Sequence, residues 1–247
     1  MPTDPWFYAT ATIALLIVGI AKGGLGGGIG IVGVPLMSLV IDPIRAAAIM
    51  LPILLVMDVF AVRAWWRRWD LKNLRTMIPG AALGTLIGFA TFRMLSTDAM
   101  RLLVGALALV ISLGWFAARG VPEPKPSSLG RGTFWSTLSG FTSFSIHAGG
   151  PPAQVYLLSQ QLDKSTFQAT TVAFFFFVNA LKLPFYAWLD QLEFANLSTS
   201  LVLAPLAPLG IWLGGVLHHR IDERAFYRVV YASLIVIGAK LIYDGLV

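Results

Sequence analysis

A glycine-rich break with a lysine beside it interrupts one of the most apolar parts of the chain. Residues 19–36 read GIAKGGLGGGIGIVGVPL and hold eight glycines, with Lys22 at the start of the break. Glycine is a poor helix former, and irregular backbone at membrane depth is tolerated only where it is buried in protein or lines a polar cavity. Exposed N–H groups at a helix start, at the positive end of its dipole, attract anions. The break and Lys22 together indicate an anion-binding site.

A second break of similar character lies in the other half of the chain, where residues 145–158 read SIHAGGPPAQVYLL. The pair Pro151–Pro152 suits the first turn of a returning helix, because proline has no N–H to leave unpaired. The alternative for both breaks is close helix packing by small residues without a ligand. Packing alone leaves Lys22, His147 and Gln154, which flank the glycines, unexplained.

Polar residues also lie within the long apolar segments. An acid at the position of Asp58 is costly in a membrane and is usually functional, so Asp58 could pair with Lys22 or carry a coupling proton; the alternative is a packing acid with a hydroxyl partner. Asn179 could donate a hydrogen bond to an anion without adding charge. Lys182 lies near the expected outer end of its segment, and we expect it to snorkel to the interface.

The expected ligand-binding residues come from the two breaks and from the one long segment that carries an asparagine. They are Lys22, Gly23, Gly24, Gly26, Gly27, Gly28, Ser145, His147, Gly149, Gly150, Gln154 and Asn179. Asp58 is expected to act in coupling or as an ion-pair partner. No metal site is expected, since the paired histidines His218 and His219 have too few further ligands near them.

Composition places the chain among polytopic membrane proteins. Of its 247 residues, 57% are hydrophobic and 12% are charged, and its mean hydropathy is +0.76, whereas soluble domains carry about 25% charged residues. The net charge of +6 therefore reports loop orientation and gives no reason to expect a nucleic-acid partner. The N-terminal segment has no basic region and carries Asp4, so we interpret it as a retained first membrane segment.

An internal repeat relates the two halves at an offset of 121 residues. On this register Asp42 falls on Asp163, and Asp58 falls on Asn179. Further along the offset becomes 126, and a proline and two glycines of the first half fall on a proline and two glycines of the second. These are Pro79, Gly84 and Gly88, which fall on Pro205, Gly210 and Gly214. We interpret the glycines as surfaces for close helix packing.

The predicted fold is an all-α polytopic membrane protein of two inverted repeats, each a broken re-entrant helical hairpin followed by three transmembrane helices. The first repeat spans residues 1–118 and the second spans residues 133–247, joined by a cytoplasmic linker at 119–132. The hairpins are expected at 6–42 and 133–163, and the helices at about 44–64, 76–94, 99–118, 166–187, 197–217 and 225–246.

The distribution of lysine and arginine predicts the orientation of the chain. The loop at 63–75 has five basic residues against one acid, so it is expected in the cytoplasm with the linker. The corresponding loop of the second half, residues 188–196, has two acids and no base and is expected outside. Both termini are then expected in the periplasm, and the two halves have opposite topology.

The segments GGLGGGIGIVGVPL and HAGGPPAQVYLL make the chain resemble the sulfite exporter TauE/SafE family of membrane transporters. The resemblance extends over essentially the whole chain, and GGPP followed by YLL is its most specific part. It implies transport of small anionic sulfur compounds, such as sulfite or organosulfonates, across the bacterial inner membrane. Which anion is carried, and whether it is imported or exported, stays open, as does the effect of His147.

The leading hypothesis is therefore a secondary transporter that moves a small sulfur-containing anion by alternating access, with its site between the two glycine-rich tips. A proton or a sodium ion is the candidate coupling ion, the bilayer is the expected surroundings, and the chain could act as a monomer or a homodimer. No cofactor is expected: Gly28, Gly30 and Gly33 match a dinucleotide-binding pattern, but no soluble βαβ unit surrounds them. The alternatives are an anion channel, a transporter of a different small anion, and a membrane-embedded enzyme, which is disfavoured.

Overall fold

The computed structural model describes residues 4–24, 31–92, 94, 96–117, 125–217 and 223–247. The described residues form helices and no strand, as the predicted all-α fold requires. The helices are α1 (Pro5–Gly24), α2 (Gly33–Met37), α3 (Pro43–Ala64), α4 (Leu71–Phe92), α5 (Thr97–Ala117), α6 (Leu129–Ile146), α7 (Gly150–Leu158), α8 (Lys164–Trp188), α9 (Phe194–Leu203), α10 (Leu206–Leu217) and α11 (Glu223–Leu246). Three predicted site residues, Gly26, Gly27 and Gly28, lie outside the described residues, as does part of the predicted linker.

Five stretches within the described ranges are long and apolar enough to cross a membrane: α1, α3, α5, α8 and the segment Phe194–Leu217 that contains α9 and α10. The helices α4 and α11, of 22 and 24 residues, have comparable length without being among these five. With apolar helices repeated along the whole length, the protein is a multi-pass membrane protein.

At each break a long helix is followed by a short one. The first helices, α1 and α6, have 20 and 18 residues, whereas the helices that follow, α2 and α7, have 5 and 9. Each short helix packs against the long one before it. Each predicted hairpin region therefore holds one long helix and one short helix.

Aspartates begin the long helices that follow the breaks. The Asp42 carboxylate accepts hydrogen bonds from the N–H groups of Ile44 and Arg45, and Asp163 accepts one from the N–H of Thr166. These are N-caps, which satisfy backbone donors that the first turn of a helix leaves unpaired. Hydrogen bonds from the side chain and N–H of Thr166 lower the pKa of the exposed Asp163 carboxyl, which keeps this cap charged.

One predicted helix is divided. The segment expected at 197–217 forms α9 and α10, which meet at Ala204 and Pro205. Proline has no N–H to donate and its ring crowds the preceding turn, so the helical hydrogen-bond pattern stops there.

The long helices pack in pairs that join the two halves: α1 with α10, α4 with α6, α5 with α11, and α3 with α8. Glycines allow two of these contacts. A Cβ on Gly19 of α1 would lie 2.7 Å from the Cα of Gly210 on α10, and one on Gly84 of α4 would lie 2.8 Å from the backbone N of Phe141 on α6. The prediction that the glycines of α4 and α10 serve close packing is confirmed.

A leucine at Gly84 should force α4 away from α6. Because the obstruction is backbone, which cannot rotate aside, we expect Gly84→Leu to lower stability by about 3 kcal/mol, at the upper end of the usual effect of overpacking. Thermal unfolding of the purified protein in detergent measures the change. The matched control is Gly215→Leu on α10, where nothing lies within 4 Å of an added Cβ; equal unfolding temperatures for the two variants would contradict close packing at Gly84.

Candidate functional site

An ion pair and an amide join the two halves in the interior of the protein. Lys22, in the last turn of α1, forms an ion pair with Asp58 of α3. The side-chain amide of Asn179 on α8 donates to the other carboxylate oxygen of Asp58 at 2.6 Å. All three side chains are buried, and Asp58 is fully so. Three residues predicted separately from the sequence thus form one connected cluster, and Lys22 is the ion-pair partner of Asp58, which is one of the alternatives that the sequence left open.

The position of Lys22 follows from the end of α1. The last turn of a helix carries the negative end of its dipole and unpaired carbonyls, both of which favour a cation there. Gln168 of α8 satisfies one of these carbonyls, since its side-chain amide donates to the backbone oxygen of Lys22 at 2.6 Å. The helix end that carries Lys22 is therefore fixed by the opposite half of the chain.

A second cluster surrounds the end of α6. Lys182 of α8 is fully buried, and its Nζ lies 3.0 Å from the backbone oxygen of Ser143, 3.1 Å from the Oγ of Ser143 and 2.7 Å from Nδ1 of His147. Three acceptors match the three N–H donors of an ammonium group. The expectation that Lys182 snorkels to an interface is wrong, because its side chain turns inward and holds the end of α6.

The hydrogen bonds of His147 define its tautomer. Its Nε2 lies 2.9 Å from the backbone oxygen of Ala47 on α3. A carbonyl can only accept, so Nε2 carries the proton and Nδ1 accepts from Lys182. The imidazole is therefore neutral and links the end of α6 to the opposite half.

His147 also has an unusual backbone. It ends α6 in the left-handed conformation, with φ of 56°, a position that glycine normally occupies at a helix end. Left-handed backbone costs a residue with a side chain roughly 1 to 2 kcal/mol. The two hydrogen bonds of the imidazole offset this strain, which is a frequent feature of functional positions.

A small cavity lies between the two clusters. Its polar lining comes from the side chains or backbone of Lys22, Ser143, His147, Gly150 and Asn179, and Leu54 and Phe175 complete the wall. The cavity bounded by these described residues measures about 20 Å³. This is room for about one water molecule, since a single water needs roughly 10 to 15 Å³ on this measure.

Three other predicted residues do not line the cavity. Ser145 donates to the backbone oxygen of Phe141 within α6 at 3.0 Å. Gly23 packs against α10, where an added Cβ would lie 3.0 Å from the Cα of Gly214. Gln154 lines a separate groove between α5, α6, α7 and α11.

Gly149 is packed from several sides. An added Cβ there would lie 2.7 Å from the backbone oxygen of Ser139 and 2.9 Å from the ring of Phe175. Its own carbonyl accepts a hydrogen bond from the Ser139 hydroxyl at 2.6 Å. Close packing is therefore a sufficient reason for glycine at this position. The remaining predicted glycine, Gly24, is the last residue of α1.

Sequence reasoning missed the roles of Lys182 and Gln168. Lys182 lies three residues after Asn179 on α8, and residues with this spacing share a helix face, so the spacing was a usable signal. Gln168 gave no comparable signal. It falls on Ala47 in the repeat register, and nothing in a single sequence shows that both positions hold the end of a helix from the opposite half.

Comparison with known proteins gives a family. No curated protein and no solved structure matches the chain. The profile of the family described as sulfite exporter TauE/SafE matches residues 11–241, a range that includes both breaks and both buried clusters. The description names a membrane exporter of sulfite, in agreement with the resemblance noted from the sequence. The chain belongs to the TauE/SafE sulfite exporter family.

Proposed function

We propose that the protein is a secondary transporter that carries sulfite or an organosulfonate across the bacterial inner membrane by alternating access. The observation that carries the proposal is the small cavity between the end of α1 and the end of α6, which is lined by Lys22, Ser143, His147, Gly150 and Asn179. An ammonium group, an amide and a backbone N–H at a helix start are donors that suit the oxygens of a small anion.

The charges around the cavity support an anionic substrate. Lys22 and Asp58 neutralise each other, and the imidazole of His147 is neutral. Among the described residues around the cavity, the Lys182 ammonium, when protonated, has no carboxylate partner, and burial opposes its charge unless an anion lies near it. A singly charged anion such as hydrogen sulfite or a sulfonate would balance it.

The size of the cavity supports a closed state of an alternating-access cycle. Room for about one water molecule does not admit a sulfite or sulfonate group, so α1, α3, α6, α7 and α8 must separate before the substrate enters. Entry from one side and release to the other would then follow from opposite movements of the two halves.

Three kinds of contact support the inverted repeat on which this movement depends. Asp58 and Asn179, equivalent in the register, bond directly to each other, as expected for residues beside a pseudo-two-fold axis. The equivalent positions Ala47 and Gln168 each hold the end of the first helix of the opposite half. The pairing of α1 with α10 corresponds to the pairing of α6 with α4, with α1 matched to α6 at the offset of 121 and α4 matched to α10 at the offset of 126.

The ion pair offers a route for proton coupling. An anion bound to the Lys22 ammonium competes with the carboxylate of Asp58. The displaced carboxylate would be left buried without a cation, with Asn179 as its remaining partner. An unpaired buried charge is costly, and protonation of the carboxylate removes that charge. We propose that Asp58 takes up a proton when the anion binds, so that both move together.

The transport proposal is tested in proteoliposomes with sulfite, sulfoacetate, taurine, thiosulfate and sulfate. We expect saturable uptake of at least one sulfonate or sulfite that depends on an imposed proton or sodium gradient. Flux that never saturates and ignores both gradients would support a channel instead. Conversion of the substrate into a product would support an enzyme.

Proton coupling predicts a pH effect that depends on Asp58. With a sulfonate, whose own charge is constant from mildly acidic to mildly alkaline pH, we expect wild-type affinity to rise as the pH falls, because protonation of Asp58 accompanies binding. In Asp58→Asn the amide is permanently neutral, so affinity should be nearly independent of pH. Calorimetric titration across pH measures both, and a variant that keeps the wild-type pH profile would exclude Asp58 as the coupling group.

The predicted opposite orientation of the two halves determines which side of the membrane an inserted reporter should detect. A reporter inserted after Lys72 should be cytoplasmic, and one inserted near Gln191 should be periplasmic, because basic loops stay inside. Paired alkaline phosphatase and fluorescent protein fusions distinguish the two sides. If both positions report the same side, the repeat is not inverted.

A further inference from the structure

A wide apolar groove lies outside the proposed transport site. It has a volume of about 950 Å³ and is bordered by α5, α6, α7 and α11. This volume is at the upper end of the roughly 300 to 1,000 Å³ that pockets for organic ligands occupy. Its wall is mainly apolar and includes Val110, Ile111, Trp115, Leu138 and Val155.

The groove is cationic at one end. Lys125, just before α6, and Arg131, in the first turn of α6, both line it, and none of the described lining residues is acidic. The backbone N–H of Lys125 donates to the oxygen of Ser159 at 2.7 Å, and the guanidinium of Arg131 donates to its hydroxyl at 2.8 Å. These bonds fix both residues beside the end of α7. A guanidinium has five N–H donors, and the bond to Ser159 uses one of them.

The groove has the length and polarity of a lipid tail. From Arg131 to Thr142, both on its wall, α6 rises by about 16 Å. The aromatic rings of Trp115 and Tyr231 are stacked at 5.0 Å along the wall. An occupant must therefore combine a long apolar body with a negatively charged end.

We propose that this groove is a binding site for an anionic phospholipid of the bilayer. The phosphate lies against Lys125 and Arg131, and an acyl chain follows α6 into the groove. Basic pockets between helices on the cytoplasmic side of membrane proteins bind anionic headgroups in this way, and the cationic end belongs to the predicted cytoplasmic linker region. The inference is independent of the transport site.

Two variants with matched controls separate the parts of the site. Lys125→Ala/Arg131→Ala removes the charges, and its control is Lys72→Ala/Arg75→Ala, which removes two exposed charges on the same predicted side outside the groove lining. Gly114→Leu fills the apolar part, where nothing lies within 4 Å of an added Cβ, and its control is Gly215→Leu on α10, which has equal space. Replacing glycine within a helix favours folding, so the filled variant should fold.

The measurement is quenching of tryptophan fluorescence by brominated lipids, since Trp115 and Trp135 line the groove. The protein is reconstituted in phosphatidylcholine vesicles with increasing brominated phosphatidylglycerol or brominated phosphatidylcholine. We expect wild-type protein and both controls to prefer brominated phosphatidylglycerol at least tenfold. The charge variant should lose this preference, because each basic residue near an anionic surface contributes several-fold to the affinity. Gly114→Leu should reduce quenching by either lipid.

The proposal also predicts that anionic phospholipid remains with the protein after purification in mild detergent and is lost from the charge variant. Equal quenching by the two lipids in wild-type protein would overturn it. So would a charge variant that behaves like its control, because the preference would then arise from the general charge of the surface.

Discussion

Replacing Lys22 alone by alanine should both destabilise the protein and abolish tight anion binding. The variant leaves the fully buried Asp58 without its cation, and removing one partner of a buried pair costs about 3 to 5 kcal/mol. Lower yield or an unfolding temperature several degrees below wild type would measure this loss. Binding data on this variant alone would therefore mix folding with function.

The double variant Lys22→Met/Asp58→Asn separates the two effects. It removes both charges and keeps a hydrogen-bonding group beside Asn179, so we expect stability close to wild type. Anion affinity should still fall by at least tenfold, because a charge contact in a partly desolvated site is worth several kcal/mol and about 1.4 kcal/mol is a factor of ten. The control is Lys240→Ala, which breaks an exposed ion pair with Asp244 and should change little. Wild-type affinity in the double variant would mean that backbone and neutral donors hold the anion unaided.

Lys182→Met should weaken anion binding at some cost to the fold. Methionine has a similar volume, but it leaves the two oxygens of Ser143 and Nδ1 of His147 without a donor, and an unsatisfied buried acceptor costs about 1 to 3 kcal/mol. The variant also deletes the cation beside the cavity. We expect a lower unfolding temperature and, in the protein that remains folded, at least a tenfold loss of affinity for a sulfonate.

The companion variant His147→Gly shows whether the imidazole itself contributes. Glycine accepts the left-handed backbone at this position, so the end of α6 should persist while both imidazole hydrogen bonds are lost. Reduced affinity in both variants, measured by the same titration, would support a cationic site shared by Lys182 and His147. If Lys182→Met binds as wild type does, the charge of Lys182 is not part of the site.

The sequence was sufficient where the determining physics is local. Apolar runs that begin just after Asp42 and Asp163 predicted the starts of two long helices, and in the structure each aspartate caps its helix from within the first turn. Asp58 could be singled out because an acid is costly in an apolar segment wherever its partner lies. The pairing of Asp58 with Lys22 was one of the options that this reasoning left open.

The sequence was insufficient where the determining contact is tertiary. Snorkelling and inward hydrogen bonding use the same lysine side chain, and the choice at Lys182 depends on which face of α8 turns toward α6. The division of α9 from α10 at Pro205 could not be predicted for the same reason. Other prolines, such as Pro79 and Pro184, lie within continuous helices. The outcome at each proline depends on how neighbouring helices accommodate it.

The two buried lysines have a consequence for the ancestry of the protein. In the proposed register Lys22 corresponds to Ser143, and Lys182 corresponds to Ala61, so each half supplies one cation from a different helix. A protein made from two copies of the first half would contain two balanced ion pairs and no surplus charge. One made from two copies of the second half would contain two cations and no acid. If the two halves arose from one duplicated unit, a single surplus charge requires the copies to have diverged, and a present-day half duplicated in the laboratory should not regenerate the site.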